Sequence, residues 1–244
     1  MPSEAFPRSR RDRPAKPALS REAIVAAALT IIGEEGLDAL SMRRLAQALD
    51  TGPASLYVYV ANRDELWDLV FDAAIATIET EPTDPARWRE QLHELGDRML
   101  YMMVHRYPGI ARLAMARIPV GDNALRVSES LLSLLRAGGV EDQAAAYAAD
   151  LFSLYVTANA YEQSLYGQLY ADPEHEMREV ARIAQRFAAV SADRYPTIAS
   201  LREKLTSGDG DERFALGIDV IVNGLLGTST EGRMTPAVWE PPEA

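Results

Sequence analysis

The chain has 244 residues, 48% of them hydrophobic, which is enough for a sizeable buried core and excludes a disordered polymer. It has no cysteine, which excludes disulfides and thiolate chemistry, and its only three histidines (His93, His105 and His175) argue against a histidine-rich metal site. A formal net charge of −11 opposes indiscriminate binding to phosphate, yet residues 1–19 are locally basic, with Arg8, Arg10, Arg11, Arg13 and Lys16 against Glu4 and Asp12.

In chain order, residues 1–18 are rich in Pro, Arg and Ser and read as a disordered basic arm. Ser20 is placed to cap a first helix with Ile24, Ala27, Ala28, Ile31 and Ile32 on one face and Gly36 at its exit. Ser41 opens a short second helix carrying Leu45, Ala46 and Leu49, which Asp50-Thr51-Gly52 breaks. Pro53, at a first helical position, starts a third helix to about Tyr59, and Asn62 caps a fourth from Arg63 to about Ile78. The stretch Glu81-Pro82-Thr83-Asp84-Pro85 is the clearest break.

Beyond it the pattern predicts only helices. They cover about 86–105, a short one from Pro108 to before Pro119, then 122–137, 141–167, 173–192 and 211–227. Tyr195-Pro196 and Ser207-Gly208-Asp209-Gly210 read as breaks. The tail from Thr230 reads as loose. No period-2 alternation, repeat or 18-residue apolar run is present, and the start has no signal-peptide pattern. The expectation is an all-α, soluble, cytoplasmic protein with no membrane partner.

Helices near 41–48 and 53–59, joined by a three- or four-residue turn, have helix-turn-helix spacing. Leu45, Leu49, Leu56 and Val60 then face the first helix, while Ser55, Tyr57 and Tyr59 face outward. The N-terminal end of such a helix meets base edges, and hydroxyls and cations meet phosphates. The same short helices also occur in all-α enzymes, where tyrosines sit half-buried, and periodicity leaves both readings open. No Ser/His/Asp order, metal-ligand spacing or Gly-rich phosphate loop supports an enzyme, and His93 with Glu90 or Glu94 is only a helix-surface pair.

Residues 20–66, "SREAIVAAALTIIGEEGLDALSMRRLAQALDTGPASLYVYVANRDEL", resemble the DNA-binding domain of the TetR family of transcriptional regulators. "YPTIASL" and "DERFALGIDVIVNGLLG" are similar to the C-terminal domain of its tetracycline-repressor-like branch. The resemblance implies a basic arm (1–18), a helix-turn-helix domain (19–66), a helical ligand-binding and dimerisation domain (67–228) and a flexible tail (229–244). It implies that Arg43 reaches a base edge or phosphate, with Arg44 beside it. Pro53, Ala54 and Ser55 begin the recognition helix. Tyr57 and Arg63 bind phosphate. Tyr59 stands where the family usually has histidine, and Asp50 where it usually has glycine. Asp tolerates the left-handed conformation better than most residues.

In this family the second domain binds a small molecule and pairs two subunits. The 141–167 and 211–227 helices are expected to form a four-helix bundle across a two-fold axis. Two recognition helices would then sit about 34 Å apart on a palindromic double-stranded DNA operator. Expected ligand-binding residues are Met102, His105, Met115, Phe152, Tyr155, Asn159, Glu162 and Tyr166, with Trp88, His93, Met99, Met103 and Tyr107 as further candidates. Glu162 falls near the acidic residue that tetracycline repressors use for a metal–drug complex. The histidine of those repressors has no counterpart around Arg112-Leu113, so no metal and no cofactor are expected.

Overall fold

The computed structural model describes residues 19–169 and 171–227. The arm at 1–18 and the tail at 229–244 lie outside the described residues. Eleven α-helices and no strand occur among the described residues. The first four are α1 (Arg21–Glu35), α2 (Met42–Ala48), α3 (Pro53–Leu56) and α4 (Arg63–Ile75).

The start signals work as local chemistry requires. The Ser20 hydroxyl accepts from Ala23 N–H, Ser41 from Arg44 N–H, and the Asn62 side chain from Glu65 N–H, so each satisfies an orphan donor of the first turn. Ile24, Ala28, Ile31 and Ile32 of α1 meet Leu45 and Ala46 of α2, Leu56 of α3 and Val60 in one fully buried cluster. Asp50 ends α2 with φ +48°, and no other described residue except glycine has positive φ.

The third helix departs from expectation. It stops at Leu56, and residues 57–59 form a turn. That turn re-aims the second tyrosine: Tyr59 is half-buried and packs on the core instead of facing outward with Tyr57.

The body is built from α5 (Trp88–Tyr101), α6 (Ala111–Ala116), α7 (Asp122–Ala137), α8 (Asp142–Leu169), α9 (Pro173–Ala188), α10 (Pro196–Leu205) and α11 (Gly210–Leu226). Two details were not foreseen. The chain after α5 runs on as a π-helical turn, Met102–Arg106, and Pro196 opens a helix rather than only breaking one. Proline is at home in a first turn, where its missing N–H is not needed. α9 ends at Ala188, short of the predicted 192.

α4 is common to both halves. Its start belongs to the helix-turn-helix, and Val70, Phe71, Ala74 and Ile75 are buried with the body. Asp72 fixes this end by accepting from Ala124 N–H at 3.0 Å and Asn123 Nδ2 at 2.9 Å, a carboxylate at the N-terminus of α7.

α8 and α11 pack through Phe152, Val156, Phe214, Ile218 and Val222. The opposite faces leave Tyr147, Leu151, Leu216 and Val220 exposed. α9 buries no residue at all, although Met177, Val180 and Ile183 line one of its faces. Tyr155 pins α8 to α11. Its ring stacks on Phe214 at 5.6 Å, and its hydroxyl donates to the carbonyls of Arg213 or Phe214. A Cβ on Gly217 would sit 1.9 Å from that hydroxyl. Gly217→Ala should therefore lower stability by about 1–3 kcal/mol through overpacking, read by thermal unfolding, whereas Gly224→Ala, with open space around it, should not.

Candidate nucleic-acid interface and ligand cavity

The outer face of the helix-turn-helix begins with small residues and ends with a tyrosine. Pro53 and Ala54 are exposed at the first turn of α3, Ser55 is half-buried, and Tyr57 is 49% exposed at its end. Tyr57 stands on a rigid base, because Leu56 and Val60 on either side are fully buried. Val58, between the two tyrosines, is 79% exposed. The sequence reading passed over it. An exposed β-branched residue in the turn after a recognition helix can pack on a thymine methyl or a sugar. Its signal was an apolar residue at a position where the inward stripe of Leu56 and Val60 does not fall.

The arginines divide by what they already hold. Arg43 is exposed and forms no ion pair among the described residues. Arg44 is committed to Glu35 at the end of α1 through two of its nitrogens, which holds the Glu35 carboxyl below its usual range. That geometry makes Arg44 a tie between α1 and α2 rather than a free cation. Arg63 sits at the first position of α4 with its guanidinium 5.4 Å from the centre of the Trp67 ring. Arg21 bridges the ends of the motif, donating to Tyr59 O at 3.1 Å and to Glu65 at 2.8 Å.

A cavity of about 390 Å³ opens in the body, within the range of small-molecule sites. Phe71 and Ile75 of α4, Ile78, Met99 of α5, and Met102 and Met103 of the π-helical turn form much of its wall. Ala114, Met115 and Ala116 of α6, the segment Arg117-Ile118-Pro119, and Ala124, Val127 and Ser128 of α7 add to it. α8 contributes Asp150, Ser153, Leu154 and Thr157. An apolar chamber with a few hydroxyls, one arginine and one carboxylate suits an apolar ligand with polar edges.

Of the expected ligand residues, Met102 and Met115 line this cavity and the other six do not. On α8 the cavity stripe is Asp150, Ser153, Leu154 and Thr157, whereas the expected stripe ran through Phe152, Tyr155, Asn159, Glu162 and Tyr166. One position of offset turns a side chain by about 100°. Phe152 instead packs beside Gly96 and Ile218, Tyr155 faces α11, and Asn159 donates back to Tyr155 O at 2.8 Å. Glu162 and Tyr166 are exposed near the far end of α8. His105 is exposed with its ring 5.3 Å from that of Tyr101, because the wider π-helical turn breaks the i, i+3 alignment with Met102. No cluster of metal-ligating side chains occurs among the described residues.

Arg44→Ala should lower the melting temperature, because the α1–α2 tie is lost. Arg43→Ala should leave it unchanged. A matched pair of thermal melts separates the two roles.

Comparison with known proteins agrees with this architecture. The family "Bacterial regulatory proteins, tetR family" matches residues 24–70, and "Tetracyclin repressor-like, C-terminal domain" matches residues 81–228. The chain is 34% identical over 226 residues to the HTH-type transcriptional repressor DrrR1 of Streptomyces coeruleorubidus, covering 88% of this chain and 80% of that protein. It is also similar to ActR of Streptomyces coelicolor in complex with actinorhodin. That likeness has a TM-score of 0.76 at 42% identity, over 86% of this chain and 98% of ActR. The structure of BioQ with its double-stranded DNA operator matches with a TM-score of 0.61 at 26% identity, over 86% of this chain and 100% of that one. The chain therefore belongs to the TetR family and is a helix-turn-helix, DNA-binding regulator of transcription.

Proposed function

We propose that the protein is a homodimeric repressor that a small molecule releases from a palindromic operator. The observation that carries this reading is that one helix spans both sites. α4 begins beside the exposed recognition turn at Arg63 and ends in the wall of the cavity at Phe71 and Ile75. A ligand that favours one tilt of this helix changes the separation of two recognition helices. It shifts the equilibrium only by its differential affinity for the two arrangements.

In this reading Pro53, Ala54 and Ser55 enter the major groove, Arg43 reads a base edge, and Tyr57 and Arg63 hold phosphates. The exposed Leu216 and Val220 of α11 and Tyr147 and Leu151 of α8 support dimerisation through these two helices, since exposed large apolar side chains gathered on neighbouring helices mark interaction faces. ActR was crystallised with actinorhodin, and the cavity here has walls suited to an apolar ligand with polar edges. No helix among the described residues is long and apolar enough to cross a membrane.

The direct test is retardation of palindromic DNA taken from upstream of the gene, with actinorhodin added as the probe. A shift that the probe reverses supports the full reading. A shift that it leaves intact limits the reading to DNA binding with a different effector, and no shift on any such DNA refutes it. Tyr57→Phe should weaken operator binding by about 1 kcal/mol on every sequence, as for one lost hydrogen bond. Arg43→Ala should relax preference at one base pair per half-site by about 1–3 kcal/mol, read from affinities for single-base operator variants. Leu216→Glu with Val220→Glu should yield a monomer in analytical ultracentrifugation and abolish binding to the full palindrome.

A further inference from the structure

Asp150, Ser153, Leu154 and Thr157 put one face of α8 on the cavity, at the i, i+3, i+4, i+7 spacing of a helical stripe. Asp150, Ser153 and Thr157 are polar, and none of them forms a side-chain hydrogen bond or ion pair among the described residues. Helical hydroxyls elsewhere in the chain are spent on their own helix. Thr30 donates to Ala26 O at 3.0 Å, and Ser164 donates to Tyr161 O at 2.7 Å. Those of Ser153 and Thr157 remain available. Thr157 is only 7% exposed, yet no sealed polar side-chain atom lacks a partner among the described residues, so its hydroxyl opens into the cavity. Ser153 is half-buried and Asp150 is exposed. The stripe thus runs from a carboxylate at the mouth to a hydroxyl at depth, over a helical rise of about 10 Å.

The charge of the wall points the same way. Among the described residues, Arg117 and Asp150 are its charged members. Arg117 is already committed, since its guanidinium donates to Asp68 Oδ1 and to Asp64 Oδ1, each at 2.6 Å. One cation set against two carboxylates leaves that side of the cavity negative, and Asp150 adds a further carboxylate with no cation paired to it among the described residues. The chain as a whole carries −11. A concave site with apolar walls concentrates such a field, drawing in positive charge and repelling anions.

We propose that the cavity selects an elongated, largely apolar cation: a protonated amine held at Asp150, with a hydroxyl or carbonyl further along the same edge bonded by Ser153 and Thr157. This rests on the proposed ligand-responsive regulator, and it names the chemical class of its effector. The ammonium donates to the Asp150 carboxylate at the mouth, where it keeps part of its hydration. The apolar body lies against Met99, Met102 and Met103. Asp150 reads charge and Thr157 reads the reach of the polar edge, so the two properties are set by different residues.

The full-length chain, free of DNA, tests this with four fluorescent naphthalenes. Aminomethylnaphthol carries an ammonium and a hydroxyl at opposite ends of its ring pair. Hydroxymethylnaphthol removes the charge, hydroxynaphthoic acid reverses it, and aminomethylnaphthalene removes the hydroxyl. In fluorescence titrations at low salt, aminomethylnaphthol should bind at least fivefold more tightly than hydroxymethylnaphthol, with hydroxynaphthoic acid weakest. Added salt should shrink that ratio. Asp150→Asn should erase the preference, and Asp150→Lys should turn it toward hydroxynaphthoic acid. Both change an exposed side chain, so the fold is retained. Thr157→Val should weaken aminomethylnaphthol at least threefold and leave aminomethylnaphthalene unchanged. Equal affinities for the amine and the acid, a preference that Asp150→Asn leaves intact, or no binding of any of the four overturns the ligand class. Equal effects of Thr157→Val on both amines overturn the orientation along α8. Failure of the protein to bind any operator would refute the proposed function instead, and the binding ratios would still decide the ligand class.

Discussion

Everything in this molecule hangs on the double commitment of α4. A helix of 13 residues is about 20 Å long, and its two ends obey different neighbours. The first turn is fixed by the Asn62 and Glu65 caps, by Arg21 reaching over from α1, and by Arg117 from the body. The last two turns are buried against α7 and the cavity wall, with Asp72 capping α7. Polar ties at one end and apolar burial at the other make a lever, since ion pairs at a surface rearrange at low cost while a packed core does not.

The same division separates the rigid parts from the adjustable ones. The helix-turn-helix core is dry and complete, with Ile24, Ile32, Leu45, Leu56 and Val60 fully buried. The cavity, by contrast, is walled by Met99, Met102, Met103 and Met115, side chains that repack readily around ligands of different outline. A short α6 and a π-helical turn border it, both being segments with imperfect backbone bonding. The arrangement puts deformability where binding is proposed and stiffness where register on DNA would be read.

Much of this was legible in the residues. Ser20, Ser41, Asn62 and Pro53 announced four helix starts because capping and proline chemistry are local. Asp50 at φ +48° follows from the same local logic. What could not be read was helical phase. On α8 both the cavity stripe and the stripe facing α11 carry apolar and hydroxylated residues, so composition offered no way to choose between Asp150–Ser153–Thr157 and Phe152–Tyr155–Asn159. Arg44 and Arg117 were equally opaque. Each is an arginine on a surface until its partner, Glu35 or Asp64 and Asp68, is brought from elsewhere in the chain.

By itself the sequence determined the all-α class, the helix-turn-helix and the family, since these depend on caps, breaks and apolar period within a few turns. Only the tertiary structure decided which wall faces the cavity, which arginines are already spent, and how α4 joins the two sites. Those depend on the relative rotation of helices distant in the chain, and a single turn of 3.6 residues leaves that rotation undetermined until the core is packed.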